Sequence, residues 1–371
     1  MDFDFSEDQE QLRDAVRKWV EKGYGFERRR SIVAAGGFDR DAYGELAELG
    51  LAGLYIPEDD GGMGMSPIDG MVVMEELGRG LVLEPVDQAL IAGAVIAGYG
   101  NADVKGEWLP KLGGGEALIV LAEVERSNRY RLDNCKTAAS ESGGAWTLSG
   151  GKSIVPVADQ ADAFIVPAMG PKGLALFLVD AKAKGVSTTG YLTQEGGRAG
   201  ELSLDKAAAT LLTEDGLTAL EHAVDVGVAC QCAEAVGIMD MTMDATAEYL
   251  NTRKQFRVPL SSFQALRHRM ADMKMQLELA RSMSYYAALK LNAPAEERRQ
   301  AIARAKVQLG QSMRYVGQQA IQLHGGIGVT DEYIVSHYFK SLTQIELTYG
   351  DTLHHLKEVS ERMGDSAGVF A

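Results

Sequence analysis

The sequence predicts an α+β protein laid out as helices, then strands, then helices. Three observations carry this. Apolar residues recur at helical spacing before about residue 118, short apolar runs cut by Gly, Pro and Asp follow to about 212, and helical spacing then returns to the end. A chain of 371 residues exceeds one small core. It divides on this basis into an N-terminal α-helical domain (1–118), a middle β domain (119–212) and a C-terminal helical bundle (213–371).

In the first region Ser6 precedes Leu12, Val16, Trp19 and Val20, an apolar helical face behind a serine start signal. A second helix is expected over 41–49, stopped by Gly50, and the Pro- and Gly-containing stretch 56–64 is a loop. Helical spacing resumes at Met71, Met74 and Leu77 and again after Pro85. In the middle region the runs 163–166 and 174–179 have strand length, and 146–149 alternates and is expected to end at Gly150-Gly151. In the third, Pro259 and Pro294 both fall between helical patterns. Between them Phe263, Leu266, Met270, Met273 and Leu277 form a narrow seam suited to antiparallel helix packing.

Composition excludes several classes. With 37 Lys+Arg against 52 Asp+Glu and a formal charge of −15, a nucleic-acid or anionic-membrane surface is not expected. No apolar run reaches the ~18 residues of a membrane span. The start Met1-Asp2-Phe3-Asp4-Phe5 is acidic with no secretory core after it, which points to a cytoplasmic address. Cys135, Cys230 and Cys232 form no disulfide framework, and Cys230 and Cys232, two apart in a helical run, read as small buried hydrophobes rather than a redox pair. P-loop, Rossmann and nucleophile-elbow patterns are missing, and Gly326-Ile327-Gly328 lacks a third glycine. There is no HExxH, and the adjacent His354 and His355 cannot both face one metal from a helix, so no metal is expected. The acidic groups Glu58-Asp59-Asp60 and Glu75-Glu76 read as solvated surface.

Two motifs of the third region remain. Thr252-Arg253-Lys254-Gln255-Phe256 closes a long helix, and Phe263-Gln264 opens the next. Arg253 is either a planar donor fork for phosphate or a solvated cation favoured by the helix dipole. In Gln322-Leu323-His324-Gly325-Gly326, the glycines are either a helix stop or a place where a diphosphate reaches unshielded N–H groups.

Together and in this order these motifs resemble the acyl-CoA dehydrogenase family, over essentially the whole chain. The 57–62 loop, the Met74-Glu75-Glu76-Leu77-Gly78 helix and the β middle fit as well. Within the family, Met1-Asp2-Phe3, the run 24–29, Cys232–Gly237 and Gly350-Asp351…His354-His355 are similar to small subunits of pimeloyl-CoA dehydrogenases. The resemblance implies N-terminal helices, a middle β-barrel and a C-terminal four-helix bundle. It implies FAD and α,β-dehydrogenation of an acyl-CoA thioester as in fatty acid β-oxidation, with electron-transfer flavoprotein as acceptor. Carried over by position, Arg253 meets the FAD pyrophosphate, and Gln264, Gln322, Gly325, Gly326 and Thr352 also contact FAD, largely that of a neighbouring subunit. Asp225 matches a position that touches the acyl-CoA.

The departures from the family are as informative. The family's base is the Glu of a Tyr-Glu-Gly-Thr run, and here Tyr349 is followed by Gly350, Asp351 and Thr352. The family's other base position matches Gly227. Glycine takes no proton. The Thr-Glu-Pro…Gly-Ser-Asp that meets the flavin ring becomes Ala122-Glu123-Val124 and Arg126-Ser127-Asn128-Arg129, and Ile-Thr-Asn becomes Val155-Pro156-Val157. The expectation is a subunit that completes the FAD site of a homologous larger subunit in trans. The alternative is a self-sufficient homo-oligomeric dehydrogenase, dimer or tetramer, with Asp351 or Glu346 as base. A dicarboxylyl substrate needs an Arg or Lys deep in the cleft, for which Arg126, Arg129 and Arg131 are the candidates by region.

Overall fold

A computed structural model describes residues 5–366 of the chain. Met1, Asp2 and Phe3 of the closer likeness lie outside the described residues. Helix α1 (Glu7–Gly23) starts where the serine signal put it. The Ser6 hydroxyl accepts from the Gln9 N–H at 3.2 Å and the Gln9 side chain accepts from the Ser6 N–H at 3.1 Å, a reciprocal capping box. Helices α2 (Phe26–Ala35), α3 (Arg40–Glu48), α4 (Pro67–Arg79), α5 (Val86–Tyr99) and α6 (Ala102–Gly113) follow. Strands β1 (Ile119–Leu121), β2 (Ala138–Ser142), β3 (Ala145–Pro156), β4 (Ala163–Gly170), β5 (Gly173–Asp180), β6 (Val186–Leu192) and β7 (Arg198–Thr213) form the middle. Then come α7 (Gly216–Thr252), the short pair β8 (Lys254–Gln255) and β9 (Val258–Pro259), α8 (Gln264–Lys290), α9 (Ala295–His324), α10 (Ile334–Leu347) and α11 (Thr352–Ser366).

The chain forms two compact units that interleave along the sequence. A bundle unit takes Met1–Arg29, Met71–Val82 and Val228–Ala371, and a barrel unit takes Arg30–Gly70 and Leu83–Gly227. The three sequence regions and these two units cut the chain differently, because α1 and α4 are tied into the bundle. Arg17 donates to both oxygens of Glu76, at 3.1 and 2.6 Å, Arg79 pairs with Asp240, and Arg281 pairs with Glu75. Glu75 and Glu76 are therefore not the solvated surface the composition suggested. Glu76 is 3% exposed, and two guanidinium groups, of Arg17 and Arg79, face it.

In the bundle unit α9 packs against α8, α10 and α11. Of the predicted seam, Met273 and Leu277 are fully buried, while Phe263, Leu266 and Met270 are half-buried toward the end of the bundle. Pro294 caps α9 as the proline spacing required. Cys230 and Cys232 are buried, as expected of small hydrophobes.

In the barrel unit the sheet order is β1-β4-β2-β3-β7-β5, and pairing of β4 with β5 closes the ring, with β6 added outside β7. Its core is apolar, built on Leu148, Phe164, Val166, Phe177, Val179, Leu202 and Leu204. β3 does not end at Gly150-Gly151. It runs on to Pro156 through a register shift between Leu148 and Gly150. Gly150 has φ 152°, and a Cβ there would lie 2.7 Å from Thr137 Oγ1, so glycine carries the strand past its neighbour where a turn was expected.

Candidate functional site

One end of the bundle unit gathers the motif residues. The TRKQF stretch leaves α7 and folds back as the β8–β9 hairpin, closed where the Leu260 N–H donates to the Arg253 carbonyl at 2.9 Å. Its two turn residues, Phe256 and Arg257, both have positive φ, 53° and 69°. That is the backbone of a two-residue hairpin turn usually given to Asn and Gly, here built from bulky side chains, and Phe256 is 86% exposed. At the end of α9 the buried His324 ring stacks on Tyr249 of α7 at 4.5 Å, and the Tyr249 hydroxyl donates to the His324 carbonyl at 3.2 Å. Arg269 on the first turns of α8 donates to Gln319 Oε1 at 2.8 Å. These contacts bring together the end of α7, the start of α8 and the end of α9.

Arg253, Gln264, Gln322, Gly325 and Gly326 are consequently all exposed on this one end. Gly325 has φ 64° and ψ −139°, a region open in practice only to glycine, although a Cβ there or at Gly326 would meet nothing. The glycines thus serve backbone conformation and bare N–H groups, not close packing. Among the described residues Arg253 has no carboxylate partner. An unpaired guanidinium, two free side-chain amides and an exposed glycine backbone fit the diphosphate portion of a dinucleotide. The His324 ring, neutral by burial, belongs to the scaffold under them. The sequence motif contains His324, but its stacking on Tyr249 depends on α7 and is not visible in the motif itself.

Thr352 is not joined to this set. It opens α11, and its N–H and hydroxyl donate to Glu346 Oε1 at 3.0 and 2.7 Å, so the hydroxyl proton is already committed. The other candidate base, Asp351, accepts from the His354 N–H at 2.8 Å as the N-cap of α11. Both carboxylates hold the α10–α11 turn in shape. Beneath it the buried Lys306 ammonium donates to the carbonyls of Ile345 at 2.6 Å and Thr348 at 2.8 Å, with burial bringing its pKa down to about 8. Sequence reasoning passed over Lys306, and the signal was available: it lies on the apolar stripe Ile302, Ala305, Leu309, Met313.

Gly350 is at the centre of this turn with φ 112°, following Tyr349 at 57°. An ideal Cβ at 350 would lie 2.6 Å from His354 Cδ2 and 2.6 Å from His355 Nε2. His355 is 4% exposed, and its Nε2 pairs with the Tyr349 carbonyl at 3.0 Å. The ring is held neutral, since burial and the nearby Lys306 push its pKa well below the usual histidine range.

In the barrel unit the segment that departs from the Thr-Glu-Pro…Gly-Ser-Asp pattern is organised around a buried ion pair. Lys152 Nζ donates to Glu125 Oε1 at 2.7 Å, with side-chain exposures of 0% and 6%. Glu125 also accepts from the Thr137 N–H at 3.0 Å, the Thr137 hydroxyl at 2.8 Å and the Lys136 N–H at 2.8 Å. Against the cost of its burial, these bonds hold the carboxyl down at about 2. Glu123 is the converse. Burial raises it to about 7, opposed only by its own backbone N–H and the more distant Lys152 charge, so it is a carboxyl able to hold a proton near neutrality. Ala122 and Val155 bring no hydroxyl and Pro156 brings neither hydroxyl nor N–H, so this face offers few donors to a flavin ring.

Arg126, Arg129 and Arg131 are all exposed rather than deep. Arg126 pairs with Glu201 at 3.3 Å, Arg131 with Asp133 at 3.1 Å, and Arg129 lies over the Tyr130 ring. The expected deep cation for a terminal carboxylate is thus not supplied by these three, because their loop turns its charged side chains to solvent. Asp225 is fully buried on α7, and Gly227 follows it by two residues.

Known proteins match the chain over most of its length. Residues 6–116 match the acyl-CoA dehydrogenase N-terminal domain, 121–207 the middle domain and 214–364 the C-terminal domain. Among solved structures, it is similar to a variant of the Tcur3481-Tcur3483 steroid ACAD, with 30% identity and a TM-score of 0.90 over 97% of this chain and 99% of that one. It is also similar to a chain of the ChsE4-ChsE5 complex from Mycobacterium tuberculosis, with 26% identity and a TM-score of 0.90 over 98% and 99%. Acyl-CoA dehydrogenase FadE27 from Mycobacterium tuberculosis is 27% identical over 341 residues, 89% of each chain.

Proposed function

The chain belongs to the acyl-CoA dehydrogenase family of FAD-dependent oxidoreductases acting on CH–CH bonds, and on that premise we propose that it completes the FAD site of a homologous, larger subunit in trans. The observation that carries this is a division within one unit. The dinucleotide-binding set Arg253, Gln264, Gln322, Gly325 and Gly326 is exposed and unspent, whereas the turn around Gly350 is hydrogen-bonded to itself. The two structures named above as Tcur3481-Tcur3483 and ChsE4-ChsE5 pair two differently named chains, which supports a heteromeric assembly.

When bound, the flavin supplies the hydride acceptor of an α,β-dehydrogenation of an acyl-CoA thioester. The reaction also needs a group that takes the α proton. Gly350 and Gly227 take none, Asp351 spends its carboxylate on the α11 cap, and Glu346 spends its own on Thr352. In this proposal the proton goes to a carboxylate of the partner. Arg253 supplies a guanidinium fork to the diphosphate, Gln264 and Gln322 orient the adenosine side, and Gly325 and Gly326 present N–H groups. Asp225 belongs to the acyl-CoA path of the barrel unit, and electron-transfer flavoprotein is the acceptor the family implies.

The test is the flavin content per subunit of the chain purified alone and of a co-expressed pair. A colourless solitary chain that acquires stoichiometric flavin only with a homologous partner is the expected result. A solitary chain that is yellow, and whose flavin bleaches on addition of an acyl-CoA, would refute the proposal in favour of a self-sufficient homo-oligomer.

A further inference from the structure

We infer, resting on the reading that residue 350 marks the family's base position, that His354 and His355 seal that position. The chain's own site is then closed by packing, and the missing carboxylate is only part of its silence. Three features fix the closure. A Cβ at Gly350 falls 2.6 Å from an atom of each ring, closer than side-chain carbons come to any neighbour. The His355 ring is no flexible obstacle, because it is buried and its Nε2 is spent on the Tyr349 carbonyl at 3.0 Å. The backbone at 350, φ 112°, is one that L side chains rarely adopt.

The turn cannot relax cheaply to make room. It is held from below by Lys306 on the Ile345 and Thr348 carbonyls, from one side by Glu346 on Thr352, and from the other by Asp351 on the His354 N–H. The rings themselves meet edge to face at 5.1 Å. A carboxylate returned to position 350 would therefore not reach the place a base occupies without unmaking the α10–α11 turn. The two adjacent histidines, unfit as a metal pair, are positioning residues that confine turnover to the partner's site.

A double-mutant cycle on the full chain tests this without flavin or substrate. Gly350→Ala is expected to lower the melting midpoint of the full chain by about 5 °C. In a His354→Ala/His355→Ala background the same substitution is expected to cost half of that or less, the remainder being the backbone conformation. An equal cost in both backgrounds, or no cost in either, overturns the inference. If the double-histidine variant does not fold, His355→Ala alone, which removes the buried obstacle, serves as the background and is read the same way. In the assembled enzyme, Gly350→Glu with both histidines present is expected to leave unchanged the fraction of flavin bleached by butyryl-CoA or octanoyl-CoA. An increase overturns the inference. The melting cycle keeps its meaning even if the chain proves self-sufficient in flavin, so the two proposals fail separately.

Discussion

Lys152→Met should destabilise the barrel unit by about 3 kcal/mol. Removing one partner of a buried ion pair typically costs about 3–5 kcal/mol. Here Glu125 keeps three other donors, from Thr137 and Lys136, which places the cost at the low end. The fall of the Glu125 carboxyl to about 2 runs the same way, since Lys152 leads the groups that oppose the cost of its burial, ahead of Thr137. Urea unfolding at pH 7 followed by circular dichroism measures the loss. The double variant Glu125→Gln/Lys152→Met should recover most of it, since an amide needs no counter-charge. The folded carboxyl titrates below the unfolded one, so the stability it contributes is present above pH 4.5 and lost as pH falls through about 2. In Lys152→Met that acid-dependent loss should shrink. A single variant within about 1 kcal/mol of wild type, or a double variant as weak as the single, refutes the reasoning.

Three further outcomes are expected. Arg253→Ala should weaken flavin retention of the assembled enzyme about 10- to 100-fold, the worth of a charge-assisted hydrogen-bond pair, while the melting of the chain moves by less than about 0.5 kcal/mol because the side chain is exposed. Gly325→Ala has room for its methyl group but not the backbone for it, so it should cost about 1–3 kcal/mol, read as faster amide exchange at the end of α9. Glu123, raised by burial to about 7, favours the folded state in its protonated form. Its contribution is present below pH 4.5 and lost as pH rises through 7, so wild type should lose roughly 2 kcal/mol between pH 5 and 8 that Glu123→Gln does not lose.

Much of the fold was legible because its signals are local. The Ser6 capping box, the prolines between helices and the 163–166 and 174–179 strands each depend on residues a few positions apart. What could not be read depends on partners far apart in the chain. Glu75 and Glu76 look like any acidic pair until α4 meets Arg17 and Arg281. Gly150-Gly151 looks like a strand end until Thr137 is known to press against it. Glu125, beyond the end of β1, and Lys152, on β3, become a pair only where the Ser153 N–H donates to the Val124 carbonyl at 2.8 Å. At the bundle end, Arg253 and the 322–326 glycine motif were visible as a set, but their support, the stacking of Tyr249 on His324, was not.

The sequence alone determined which atoms this chain can bring to chemistry. No carboxylate stands at 350 or 227, and a guanidinium stands at 253, whatever the fold does with them. That follows because a side chain's functional groups are covalent facts. Only the tertiary structure decided that the space beside Gly350 is filled by His354 and His355, that Asp351 and Glu346 are already engaged, and that the dinucleotide set faces outward. Occupied volume, hydrogen-bond commitment and exposure are set by packing between distant segments, and that packing turns a missing glutamate into a closed position.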